Sequence, residues 1–282
     1  MNRFWMVVVP ALLLSLLATA QDSAPSGRDC IALEGNLIPG GLAYARVSPG
    51  TSVALNGASL DVLEDGLVLF GLGRNAKPTF SLELTGATNC TREVRIAPRE
   101  YRIQRVEGVP QRTVTPDPAD LERIARERKL VSAAKAQRIE REDLLTEAVA
   151  GFSWPAIGPI SGVYGSQRVY NGNPGNPHYG VDVAVPTGTP VVAPAPGVVT
   201  LAEADLFYSG GTVILDHGYK LSSSFLHMSE VSVQVGQVLE TGDVLGAVGA
   251  TGRATGPHLD WRMSWRSERI DPQLLVPPMP NP

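Results

Sequence analysis

The chain has 282 residues, 43% of them hydrophobic and 18% charged, and a formal charge of −4. This length allows two domains and this balance is that of a globular protein. No basic patch or tail stands out, which excludes nucleic acid as an expected partner.

In chain order, Arg3 precedes an apolar run over residues 4–17, and Ala18-Thr19-Ala20 offers a small-residue cleavage site before Gln21. The run is short for a membrane span and contains Pro10, so residues 1–20 read as a cleavable signal peptide. The expected location is periplasmic or secreted, with no stable membrane insertion after cleavage. The only two cysteines, Cys30 and Cys90, are expected to form a disulfide in such a compartment. A bridge closing that loop stabilises the fold by about 4 kcal/mol in the chain-entropy model.

Residues 28–106 carry short alternating segments, such as 42–47 and 79–84, and the turn signals Asn56-Gly57 and Asp65-Gly66. They predict a small N-terminal antiparallel β-sandwich. No catalytic constellation is visible there, and no histidine precedes His178. Residues 107–118 read as a proline-punctuated linker. Asp117-Pro118 then looks like a helix cap followed by proline at the first helical position. One helix is expected from there to about Ala148, a solvated spacer with a thin apolar stripe, so that residues 107–150 form a linker and long helix. Residues 151–282 return to valine-rich strands broken by glycine, and hold all four histidines of the chain.

Two segments of this last part carry chemistry: His178-Tyr179-Gly180-Val181-Asp182 and Gly256-Pro257-His258-Leu259-Asp260. Even spacing in a strand places side chains on one face. Each segment is therefore expected to be a strand with a wet face bearing histidine and carboxylate. Val181, Val183, Leu259 and Trp261 would line the dry face. Two such strands side by side make a metal site. Zinc in a catalytic site usually takes three protein ligands and leaves one position open. His227 ends the apolar run Phe225-Leu226, as a histidine aimed at a site from a strand end would. His217 lies in an expected turn and reads as structural, and Arg253 and Arg262 read as solvated surface arginines.

The ordered set His178, Asp182, Phe225-Leu226-His227 and His258-Leu259-Asp260 resembles the lysostaphin-type zinc endopeptidases, which cut peptide cross-links of bacterial peptidoglycan. Flanking segments at 160–165, 186–191, 197–199, 210–218 and 249–252 are similar too, and the resemblance spans roughly residues 152–275. It implies a mainly β fold: a C-terminal β-rich domain over 151–282 with a groove above an antiparallel sheet, to which the sandwich and connecting helix are additions. It implies one zinc ion held by His178, Asp182 and the residue at position 260. It makes His258 the general base and His227 the group that stabilises the oxyanion, with the metal polarising a water for attack on an amide. The expected partner is the cross-link peptide of peptidoglycan.

The family pattern has histidine at the third ligand position, where this chain has Asp260. Aspartate Oδ1 and histidine Nδ1 are both bonded to Cγ, so the carboxylate reaches about as far, and zinc accepts it at a similar distance. Two carboxylates leave the first shell formally neutral around a dication, so a functional but retuned site is expected. The alternative is a catalytically degenerate wall-binding regulator that activates other peptidoglycan hydrolases. A biotin- or lipoyl-carrier reading of the Val/Gly hairpins fails, because Lys220, the only lysine after the helix, is wrongly framed for a carrier tip.

Overall fold

The computed structural model describes residues 30–106, 117–170 and 172–280. The signal peptide expected over 1–20, and most of the expected linker, lie outside these residues.

The N-terminal body has seven strands: β1 (Glu34–Gly35), β2 (Leu42–Arg46), β3 (Thr51–Leu55), β4 (Ala58–Ser59), β5 (Leu67–Gly71), β6 (Thr79–Gly86) and β7 (Cys90–Arg95). They form two antiparallel sheets, β1-β2-β5 and β4-β3-β6-β7. Asn56 and Gly57 both have positive φ, at 50° and 79°, the backbone a two-residue type I′ hairpin requires between β3 and β4. Alternation on β6 buries Phe80, Leu82 and Leu84, and Phe80 meets Phe70 of the facing sheet edge-on, with centroids 5.4 Å apart. Cys30 and Cys90 form the expected disulfide. β5 is buried at all five positions, because its second face meets the C-terminal body. A Cβ on Gly71 would stand 2.6 Å from Ile270 Cδ1.

The strand β8 (Ile103–Val106) leaves the sandwich and pairs in parallel with Gln167–Tyr170, so the end of the expected N-terminal domain is tied to the C-terminal body. Asp117 caps the helical segment as its sequence suggests, accepting from the Ala119 amide at 2.9 Å. The single long helix does not form. A 3-10 turn, Pro118–Asp120, leads into α1 (Leu121–Ala136), and after an extended break α2 covers Glu142–Ala150. The break is a tertiary effect on a sequence of good helix formers. Its Ile139 carbonyl accepts from the Tyr219 amide at 2.9 Å, and Arg138 is bidentate on Asp61 at 2.9 and 3.0 Å. α2 then turns Leu144, Leu145 and Ala148 into the interior.

The C-terminal body adds β9 (Ile160–Gly162), β10 (Gln167–Tyr170), β11 (Asn173–Pro174), β12 (Val181–Val183), β13 (Pro190–Val192), β14 (Gly197–Leu206), β15 (Gly210–Asp216), β16 (Leu221–Val231), β17 (Val238–Leu239), β18 (Val244–Val248), β19 (Leu259–Trp265) and β20 (Glu268–Ile270). Ten of these strands share one sheet, with the path β17-β14-β15-β16-β19-β12-β9. Its two faces differ in chemistry, as period-two alternation allows. One face buries Val181, Val183, Leu259, Trp261 and Met263. The other carries Asp182, Asp260, Leu226, Ser224 and Arg262, which are cross-strand partners in register. α1 lies over part of this polar face. Val131 and Ala134 pack against Leu201, Leu206 and Ile214, and Lys135 Nζ donates to Ser264 Oγ at 3.3 Å. Among the described residues, no helix is long and apolar enough to cross a membrane.

Candidate metal centre

Asp182 on β12 and Asp260 on β19 are Cα partners across an antiparallel pair, so both side chains leave the same face of the sheet. His178 reaches them differently from the strand expected. In an extended chain residues 178 and 182 would be roughly 13 Å apart, too far to share an ion. β12 begins only at Val181, and the chain before it turns. The His178 amide donates to Ser166 O at 2.8 Å, and its carbonyl accepts from the Gly165 amide at 2.7 Å. Pinned there, His178 Nε2 comes to 3.1 Å from Asp182 Oδ1.

Donor atoms of His178, Asp182 and Asp260 all lie within 4.8 Å of one another. Donors held roughly 2.1 Å from one zinc stand about 3–4 Å apart, so the three could hold one ion with a small contraction. His178 Nε2 and Asp182 Oδ1 are buried and have no hydrogen-bond partner. Buried polar atoms are nearly always satisfied, and two orphans side by side fit a cation between them. Two glycines make room for the carboxylates. A Cβ on Gly162 would stand 2.1 Å from Asp182 Oδ2, and one on Gly180 would stand 2.5 Å from Asp260 Oδ1. Burial works against protonation of His178, but Asp182 and Asp260 outweigh it and its pKa is raised.

The other two site histidines flank this cluster. His258 Nε2 is 4.0 Å from Asp182 Oδ1, and its ring lies 4.8 Å from that of His227. Nδ1 of His258 contacts Gly256 O, and Nδ1 of His227 contacts Thr251 O, each at 2.8 Å. A carbonyl can only accept, so both Nδ1 atoms carry protons, and in its neutral form either ring would present a bare Nε2. Burial lowers the His227 pKa, against the opposing pull of the Thr251 carbonyl and Asp260.

His227 reaches the site through a backbone irregularity. By alternation it should share the face of Phe225, which is fully buried in the core. Instead β16 bulges, so that Phe225 pairs with Val213 but Met228 with Gly211, and His227 adopts φ 65°. The extra residue puts Met228 in the core and frees His227 to meet His258, a common use of bulges beside functional sites.

His217 stays apart. It is fully buried, with Nδ1 on Pro196 O at 2.7 Å and Nε2 on Ser223 Oγ at 2.8 Å. Ser223 also accepts from Trp261 Nε1, which places His217 on the core face. Burial lowers its pKa to about 4.

Arg262 is a correction. It is not a solvated surface residue: Nε donates to both oxygens of Asp260 at 3.0 Å, and Nη2 donates to Oδ2 at 2.5 Å. Burial raises the Asp260 pKa, but Arg262 outweighs it and the carboxyl is held below its ordinary value. The signal was present in the sequence, since residue i+2 on a strand shares a face with residue i.

Residues 176–272 match the model of peptidase family M23. The chain is 37% identical over 103 residues to peptidoglycan DD-endopeptidase ShyA of Vibrio cholerae, covering 36% of this chain and 24% of that protein. It is 38% identical over 104 residues to DD-carboxypeptidase/endopeptidase Mpg of Neisseria meningitidis, covering 37% and 24%. The chain thus spans about a quarter of the length of these curated relatives. A crystal structure of a peptidase M23 from Pseudomonas aeruginosa is similar at 32% identity and a TM-score of 0.64, covering 86% of this chain and 95% of that one. A likeness of that extent takes in the sandwich and helices as well as the site-bearing sheet, and by it the chain belongs to peptidase family M23.

Proposed function

We propose that this protein is an exported zinc endopeptidase that hydrolyses peptide cross-links of peptidoglycan. On this reading residues 151–282 are the peptidase domain, preceded by a leader over 1–20, a sandwich over 28–106 and a helical connector. The observation that carries it is the orphaned pair His178 Nε2 and Asp182 Oδ1, buried 3.1 Å apart beside Asp260. His178, Asp182 and Asp260 would hold the zinc. Zinc bound there would supply Lewis acidity, polarising a water and the scissile carbonyl. His258 is the base: its Nδ1 is committed to Gly256 O, so Nε2 is free to take the water's proton and return it to the leaving amine. His227 steadies the developing oxyanion. With Nδ1 committed to Thr251 O, this role requires a proton on Nε2, which burial works against. The names of ShyA and Mpg support the substrate class.

The test is digestion of purified cross-linked muropeptides with zinc-loaded and chelator-stripped protein, read by mass spectrometry. Cleavage that chelator abolishes and zinc restores is the expected result, and the fragment masses identify the bond. Zinc binding without any cleavage would sink the peptidase reading and leave a wall-binding regulator. In parallel, Asp260→Ala is expected to lose bound zinc, and unchanged zinc content would remove Asp260 from the ligand set.

A further inference from the structure

We infer that Arg262 is a positioning residue whose charge lets an aspartate serve as the third metal ligand. This rests on the ligand assignment just proposed for Asp260. Asp182 and Asp260 face each other directly across β12 and β19, and like charges so placed repel. Asp260 is only 2% exposed, so water does little to relieve that repulsion. Arg262 does. It shares a strand face with Asp260 and holds both its oxygens through Nε and Nη2. Guanidinium is always protonated and its planar fork suits a carboxylate. The Asp260–Arg262 unit is therefore neutral overall, as an imidazole would be. A dication would see one uncompensated negative charge, that of Asp182, instead of the two that the ligands alone suggest. Each carboxylate oxygen has two lone pairs, so the arginine contacts leave acceptor capacity for a metal.

The surroundings hold Arg262 in this role. Arg269 of β20 adds positive charge beside it, while burial and the two arginines push Lys135 of α1 well down from its ordinary value. Gly180, between two ligand positions, leaves space for both partners. A Cβ there would come 2.5 Å from Asp260 Oδ1 and 2.6 Å from Arg262 Cγ. The ligand at 260 and the charge at 262 thus form one unit, and exchanging either alone should damage the site.

The experiment measures zinc affinity by chelator competition, and coordination by the visible spectrum of the cobalt-substituted protein. The variants are Asp260→Ala, Asp260→His, Arg262→Gln and the double variant Asp260→His/Arg262→Gln. Asp260→His installs a good zinc ligand but strands the Arg262 charge beside the ion. It is expected to bind zinc at least about tenfold more weakly than wild type, on the scale of changes to groups behind the ligands. The double variant is expected to regain that factor, with a restored cobalt spectrum. Equal affinity in Asp260→His and the double variant, with Asp260→Ala impaired, would overturn the inference alone. Undiminished zinc binding by Asp260→Ala would overturn the ligand assignment and the inference with it. If Asp260→His does not fold, Arg262→Gln decides. Its metal-free Tm should fall, and zinc should raise its Tm by less than in wild type, as weaker binding requires. No change in either would overturn the inference.

Discussion

His178, half-buried, and His217, fully buried, each lie beside an aspartate, yet their surroundings oppose each other. His217 has both ring nitrogens satisfied by Pro196 O and Ser223 Oγ, and burial keeps it neutral with a pKa of about 4. His178 Nε2 is buried without a hydrogen-bond partner, next to an equally unsatisfied carboxylate oxygen, and the two aspartates raise its pKa despite burial. The protein satisfies one histidine and not the other. The difference teaches that satisfaction, more than residue type, separates the structural histidine from the one proposed as a metal ligand.

The comparison breaks most sharply under matched substitutions. His178→Ala is expected to weaken zinc binding by more than roughly 100-fold, beyond the range for groups behind the ligands, and to move metal-free stability little. His217→Ala is expected to leave zinc affinity unchanged. It should lose about 3–5 kcal/mol of stability, through the cavity and the buried Pro196 carbonyl left without its donor. Zinc titration and equilibrium unfolding of both variants check this, and a shared phenotype would erase the distinction.

A pH series sharpens it further. His217 titrates at about 4 when folded against an ordinary 6.5. Between those values the unfolded chain holds the extra proton, so acidification removes stability, about 3 kcal/mol over the window. Its neighbour Asp216 is raised by burial from 3.8 to about 7. Its contribution is full below the unfolded value and is lost as pH rises through the folded one. The two slopes oppose, and wild type should show little net dependence from this pair between about 4 and 6.5. Asp216→Asn should expose the His217 slope, with stability falling relative to wild type as pH falls. His217→Asn should expose the reverse. Unfolding midpoints at several pH values test this, and slopes of the same sign in the two variants would contradict it.

The smallest expected effect probes the space around the unsatisfied site. Gly180→Ala would force its new methyl against Asp260 Oδ1 and Arg262 Cγ. Zinc affinity should fall about tenfold, as for other disturbances just behind a ligand, while the core around His217 is untouched. Undiminished affinity would mean that the cradle has slack.

By itself the sequence determined the mainly β architecture, the disulfide, the hairpin at Asn56-Gly57 and the dry face of both site strands. These follow from residue type and local period: alternation sorts Val181, Leu259 and Trp261 inward, and Asn-Gly suits positive φ. It also brought His178, Asp182, His227, His258 and Asp260 together as candidates. Only the tertiary structure decided how they meet. The straight strand expected at His178 could not have closed on Asp182, and the turn that closes it depends on hydrogen bonds to Ser166 and Gly165. His227 escapes its core-facing position through a bulge set by β15 pairing, and α1 stops at Ala136 because the next segment docks on distant residues. Arg262 follows the same rule. Its place two residues after Asp260 was legible, but its choice of that carboxylate over solvent was not, because the choice is set by burial and by charges from elements far away in the chain.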